Sequence, residues 1–300
     1  MRQEPAATAE AAPTSRYAQV NGLRLHYFDW GGDGAARTFV LCHGGSAHAH
    51  WWDQVAPRLT HHGRVIALDL RGHGRSEWAE VYGPGNHIDD VKAFLRDHVG
   101  RPVVLVGHSM GGEVVQRAAA DYPELVAALV VIDAPHGGPP LRTRLMWRWK
   151  RRKQHLERPE FRSAEELIRR FRLSPPGDEL SREQLAELAL KGAERLPNDN
   201  WAFRFDPKTR KMTPGWRRQI RFPLKSLRVP TLILRGEHSR LMSAKVARKM
   251  HRRIPDARFQ QIPDAHHHVP LDNPAATAAA IIEFVETLGG THSNRTGTRP

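Results

Sequence analysis

Short apolar runs recur along the chain: LRLHYFDW (23–30), TFVLCH (38–43), RVIALDL (64–70), PVVLVGH (102–108), VAALVVIDA (126–134), PTLILRG (230–236) and ARFQQIP (257–263). Most are continuous rather than alternating, so they predict strands covered on both faces. Amphipathic stretches lie between them at about 50–60, 86–99, 110–121, 243–253 and 274–288. Alternation of this kind predicts an α/β domain with a mostly parallel sheet flanked by helices. The alternation stops between VVIDA and TLILRG. There, about 90 residues of Trp- and Arg-rich helical pattern, broken at Pro175, Pro176, Pro197, Pro207 and Pro214, read as an insertion.

Composition bounds what this pattern can be. A 300-residue chain with 40% hydrophobic residues can bury a substantial core. The lone Cys42 excludes an intramolecular disulfide and argues against cysteine-rich zinc sites. Neither a signal-peptide pattern nor a membrane-length apolar run is present, so a cytoplasmic location is expected. The polar ends MRQEPAATAEAAPTSR and GGTHSNRTGTRP read as disordered tails. The expected organisation is a tail over 1–18, a core over 19–136 and 229–289, a basic helical cap over 137–228, and a second tail over 290–300. Charge sharpens this division, because residues 137–228 hold 24 Lys+Arg against 11 Asp+Glu, nearly the whole excess of a chain with net charge +14. Such a block suits an anionic substrate, a membrane surface or nucleic acid, and equally a solvated arginine-rich face.

Candidate chemistry centres on LVGHSMGGEVV (105–115), where Ser109 stands between Gly107 and Gly111 at a predicted strand-to-helix junction. A serine exposed at such a turn needs small residues two before and two after it, so that strand and helix can approach. A glycine-rich turn with a helix-capping serine produces the same spacing. A nucleophilic serine would also need a base and donors for the oxyanion formed on attack. LCHGGS (41–46) offers a bend at Gly44–Gly45 that can aim the Gly45 amide at the serine, with the Met110 amide as second donor. IPDAHHHVPLDNP offers His266, His267 and His268 as bases. Adjacent histidines also raise the question of metal, but in a loop they diverge, and no Cys or acidic cluster accompanies them; neither metal nor cofactor is expected.

With these motifs together, the chain resembles the α/β-hydrolase superfamily over roughly 20–290: HGG after an early strand, DLRGHGRS (69–76) after the next, GHSMGG (107–112) at the elbow, and H-x-x-x-x-D-x-P (267–274) near the end. The resemblance implies Ser109 as nucleophile and, through the spacing to Asp272 and Pro274, His267 as base. The family's usual acid would fall at position 239, which is a serine in GEHSR. A minority of the family, including the haloalkane dehalogenases, carries the acid at the end of the strand after the elbow helix, which here is Asp133. Glu237 is the alternative acid. Asp69 is expected to tie down its loop.

A serine at the elbow excludes the aspartate nucleophile of epoxide hydrolases and haloalkane dehalogenases. The resemblance therefore implies a serine hydrolase acting on a small ester, thioester or lactone, with an anionic acyl substrate among the candidates. Carbon–carbon hydrolysis of a diketone by the same residues is the nearest alternative. A non-catalytic ligand- or nucleic-acid-binding protein on this scaffold is the alternative of another class, disfavoured by the intact elbow, oxyanion loop and His267. WRWK (147–150) and NWAFRFDP (200–207) are expected either to wall a pocket above the serine or to form the cap's own small core.

Overall fold

The computed structural model describes residues 12–32, 37–138, 157–177, 180–210 and 215–290. Eight strands form the main sheet: β1 (Thr14–Val20), β2 (Leu23–Asp29), β3 (Thr38–Cys42), β4 (Arg64–Leu68), β5 (Val103–His108), β6 (Val126–Ile132), β10 (Thr231–Gly236) and β11 (Ala257–Ile262). Their order is β1-β2-β4-β3-β5-β6-β10-β11. The β1–β2 and β2–β4 pairs are antiparallel, and every other neighbour is parallel. The continuous apolar runs follow from this layout, because β3, β5, β6 and β10 face a helical layer on each side. Val40, Leu105, Val131 and Ile233 pack with the helices Pro84–Phe94 and Met110–Asp121, whereas Leu41, Val106, Val130 and Leu234 pack with Ala56–Leu59 and Pro274–Gly290. Successive side chains thus enter opposite cores.

Two expectations about the periphery are corrected. Residues 14–18, assigned above to the N-terminal tail, belong to β1, a mostly exposed edge strand whose polarity hides it in the sequence. The inserted segment is not purely helical: besides the helices Ala164–Arg170 and Arg182–Lys191 it contains a small antiparallel sheet in the order β7-β9-β8, made of β7 (Glu160–Phe161), β8 (Ala193–Arg195) and β9 (Trp201–Phe203). Strands of two or three residues leave too few positions for a period to register. WRWK (147–150), Pro214 and the outer parts of both tails lie outside the described residues. No helix among the described residues is long and apolar enough to cross a membrane.

Candidate active site

The carboxyl ends of β3, β5, β6, β10 and β11 lie along one edge of the sheet, the edge where α/β domains gather ligands. β5 ends at His108 and the next helix begins at Met110, so Ser109 alone turns the chain. It does so at φ +52° and ψ −117°, a conformation that L residues avoid. The flanking glycines permit it: a Cβ on Gly107 would lie 2.5 Å from Val115 Cγ2, and one on Gly111 would lie 2.5 Å from the carbonyl oxygens of Cys42 and His43. Backbone bonds from Ser109 N–H to Ile132 O and from Glu113 N–H to Ser109 O, each 3.0 Å, fix the turn and leave the side chain partly exposed.

The loop after β11 brings His267 to this serine, with Nε2 2.9 Å from Ser109 Oγ. The other ring nitrogen, Nδ1, donates to Asp133 Oδ2 at 2.7 Å. Asp133 follows β6 at φ +46° and has no solvent exposure. Its Oδ2 also accepts a 2.6 Å bond from Ser239 Oγ, and its Oδ1 faces Gly236 N–H at 3.4 Å. Ser109, His267 and Asp133 are therefore one hydrogen-bonded series. Glu237 does not join it: its carboxylate is exposed and groups with His238 and Asp264, their ligand atoms within 4.8 Å of one another. The partnership of Ser239 with Asp133 was missed in the sequence, although the missing acid at 239 was the signal that could have found it.

Gly45, an expected oxyanion donor, lies against Met110, and its neighbour Gly44 lies against Ser109, where a Cβ would come 3.3 Å from Ser109 Cβ. A Cβ on Gly45 would lie 3.7 Å from Met110 Sδ, and neither amide is paired with a backbone acceptor among the described residues. The loop that carries Gly45 is held from below. His43 Nδ1–H donates to Gly44 O at 2.7 Å while its Nε2 accepts from Leu70 N–H at 3.1 Å. His73 Nε2 accepts from Ser46 N–H at 3.1 Å. These roles require unprotonated nitrogens, and burial supplies them by pushing His43 down to about 4 and His73 to about 3. Asp69 ties the same region: its oxygens accept from Ala49 N–H (2.6 Å), Arg75 N–H (2.9 Å) and His26 Nδ1–H (2.7 Å). Burial raises the Asp69 carboxyl, but the hydrogen bonds from the His26 ring and the Arg75 amide, together with the other neighbouring groups, outweigh it and hold the group well below the usual range.

The neighbouring histidines behave differently from one another. His266 faces outward toward His238, ring centres 5.4 Å apart. His268 is buried, its Nε2–H donating to Pro175 O of the inserted segment at 2.8 Å, and burial pushes it down to about 3. His108 Nε2–H donates to His267 O at 2.8 Å. The expected divergence therefore holds for His266 but not for His268, since nitrogens of His108, His267 and His268 come within 4.8 Å of one another. In the inserted segment, Trp201 and Phe203 pack with Phe161, Leu167 and Phe171 as a small core. Arg210 reaches Ser46 Oγ at 3.4 Å and lies 4.4 Å above the Phe205 ring.

Comparison with known proteins places this geometry in context. The sequence profile described as "Alpha/beta hydrolase family" matches residues 39–280. Esterase Rv0045c of Mycobacterium tuberculosis is 28% identical over 280 residues, covering 92% of this chain and 91% of that protein. The 2-(acetamidomethylene)succinate hydrolase of Mesorhizobium japonicum is 28% identical over 256 residues, covering 84% and 89%. A solved structure of E-2-(acetamidomethylene)succinate hydrolase superposes with a TM-score of 0.77 at 25% identity, over 91% of this chain and 99% of that one.

Proposed function

Because the chain belongs to the alpha/beta hydrolase family, we propose that it cleaves a carboxylic ester, thioester or lactone through an acyl intermediate on Ser109. The unbroken series from Asp133 through His267 to a strained, partly exposed Ser109 carries this reading. Ser109 Oγ attacks the acyl carbon while His267 Nε2 takes its proton. Asp133 holds Nδ1–H and stabilises the charged ring, and the Gly45 and Met110 amides receive the oxyanion. The same proton passes to the leaving oxygen or sulfur. Water, deprotonated by His267, then releases the acid and restores the serine.

The substrate we assign carries a carboxylate on its acyl part. Support comes from the basic inserted segment, from Arg210 beside the oxyanion loop, and from a relative whose name specifies a succinate derivative. Two p-nitrophenyl esters of similar acyl length, the butyrate and the hemisuccinate, test both parts, with a diketone added to read carbon–carbon cleavage. Ser109→Ala should lower hydrolysis of both esters by about 10⁴-fold or more. The hemisuccinate should be preferred, and Arg210→Gln should remove that preference by raising its KM alone. Activity that survives Ser109→Ala sinks the mechanism. A preference for butyrate sinks the carboxylate.

A further inference from the structure

Where the resemblance implies an acid, the chain has Ser239, and its hydroxyl is directed at the acid that stands elsewhere. A hydroxyl has one proton to give. Ser239 Oγ faces Leu241 N–H at 3.3 Å and Met242 N–H at 3.2 Å, which can only donate to it, and Asp133 Oδ2 at 2.6 Å, which can only accept. The direction of the proton is therefore fixed. The turn that carries Ser239 is rigid, because the Arg235 guanidinium donates to the carbonyl oxygens of Met242 (2.6 Å), Glu237 (3.0 Å) and Ser239 (3.2 Å). Ser239 is 6% exposed and Asp133 0%, so the bond lies in a buried, low-dielectric setting where it counts for more than at the surface.

We propose that Ser239 is a positioning residue for Asp133: its hydroxyl fixes the carboxylate and shares the same oxygen that holds His267 Nδ1–H. The inference rests on the reading of Asp133 and His267 given above. Two effects follow from that shared oxygen. Donation from Ser239 holds the carboxylate in the plane that His267 requires, and it withdraws part of the negative charge that would otherwise stabilise a protonated ring. Removing the hydroxyl should misalign the base and also make the protonated ring easier to form. The remaining ionisable neighbours are common to wild type and variant: His108 and His268, with ring centres 4.9 and 5.2 Å from His267, and Arg235 behind the turn. A serine serving only the turn, through Leu241 and Met242, would do neither.

The test compares Ser239→Ala and Ser239→Thr with wild type in two readouts: the pH profile of ester hydrolysis, and the low-field NMR resonance of the proton between His267 and Asp133. In the alanine variant kcat should fall roughly tenfold with KM unchanged. The acid limb of kcat/KM should move upward by about half a pH unit or more. The proton resonance should shift, and threonine should restore all three. A uniform loss at every pH with an unmoved resonance would overturn the proposal and leave Ser239 as a turn residue, as would an alanine variant indistinguishable from wild type. Should alanine prevent folding, Ser239→Cys keeps the size with a much weaker donor and reads the same quantities. Wild type without turnover would sink the hydrolase reading alone, since the resonance still reports the Ser239 bond.

Discussion

Asp133 is a carboxylate with no solvent exposure of its own, and it persists because His267 Nδ1–H, Ser239 Oγ and Gly236 N–H converge on its two oxygens. Asp133→Asn keeps the shape of the side chain but not its charge, so kcat should fall by about 10³–10⁴-fold, with substrate binding changed much less. Glu237→Gln is the comparison. Its carboxylate is exposed and lies with His238 and Asp264, so hydrolysis should stay within about twofold, as surface changes away from such features usually do. Steady-state kinetics on purified variants decides between them: a mild Asp133→Asn beside a severe Glu237→Gln would reverse the assignment. Ser109 and the candidate base were legible in the sequence because each sits in a motif with fixed spacing. Asp133 was legible only by default, through the serine at 239. The hydroxyl bond that joins those two side chains spans 106 residues of sequence and has no local signature.

At the scale of elements, the strand–helix turn at Ser109 works because two backbones nearly touch. Gly111 faces the carbonyl oxygens of Cys42 and His43, and neither can move without disturbing β3 and the Gly44–Gly45 loop that follows it. Gly111→Ala should therefore cost about 1–3 kcal/mol and also displace Gly45 relative to Ser109. The expected result is a melting temperature lowered by several degrees together with a larger loss of kcat than of substrate affinity. An alanine variant with wild-type melting and kcat would show that the close approach is dispensable. The central strands could be read from composition, since β3, β5 and β10 are buried along their whole length. β1 could not, because its pairing with β2 is satisfied by backbone while its side chains remain mostly exposed. The small sheet β7-β9-β8 was illegible for another reason: β7 meets β9 across about forty residues, and all three strands are too short to carry a period.

At the scale of the whole molecule, the fold buries several histidines where their charged form is disfavoured. Burial pushes His43 and His48 down to about 4 and His73 and His268 to about 3, and holds His87 and His108 well below 6.5. In the unfolded chain each takes up a proton near pH 6.5. Between pH 6.5 and about 3–4 the unfolded state therefore binds more protons, and stability must fall as pH falls through that window. Asp69, whose folded carboxyl is depressed, adds to the loss below about pH 4. Thermal melts should show a steep decline between pH 7 and 5, before most carboxylates titrate. A flat profile over that range would mean these rings are not held neutral. Two of these rings, His43 and His73, support the loop beside Ser109, whose hydroxyl the proposed mechanism activates. The direct measurement of that claim is mass spectrometry of the protein after exposure to a fluorophosphonate, which bonds to serines only when a base activates them. One adduct per chain, mapped to the peptide containing Ser109 and absent in His267→Ala, is the expected result; an unlabelled wild-type protein, or an adduct on another residue, would contradict it.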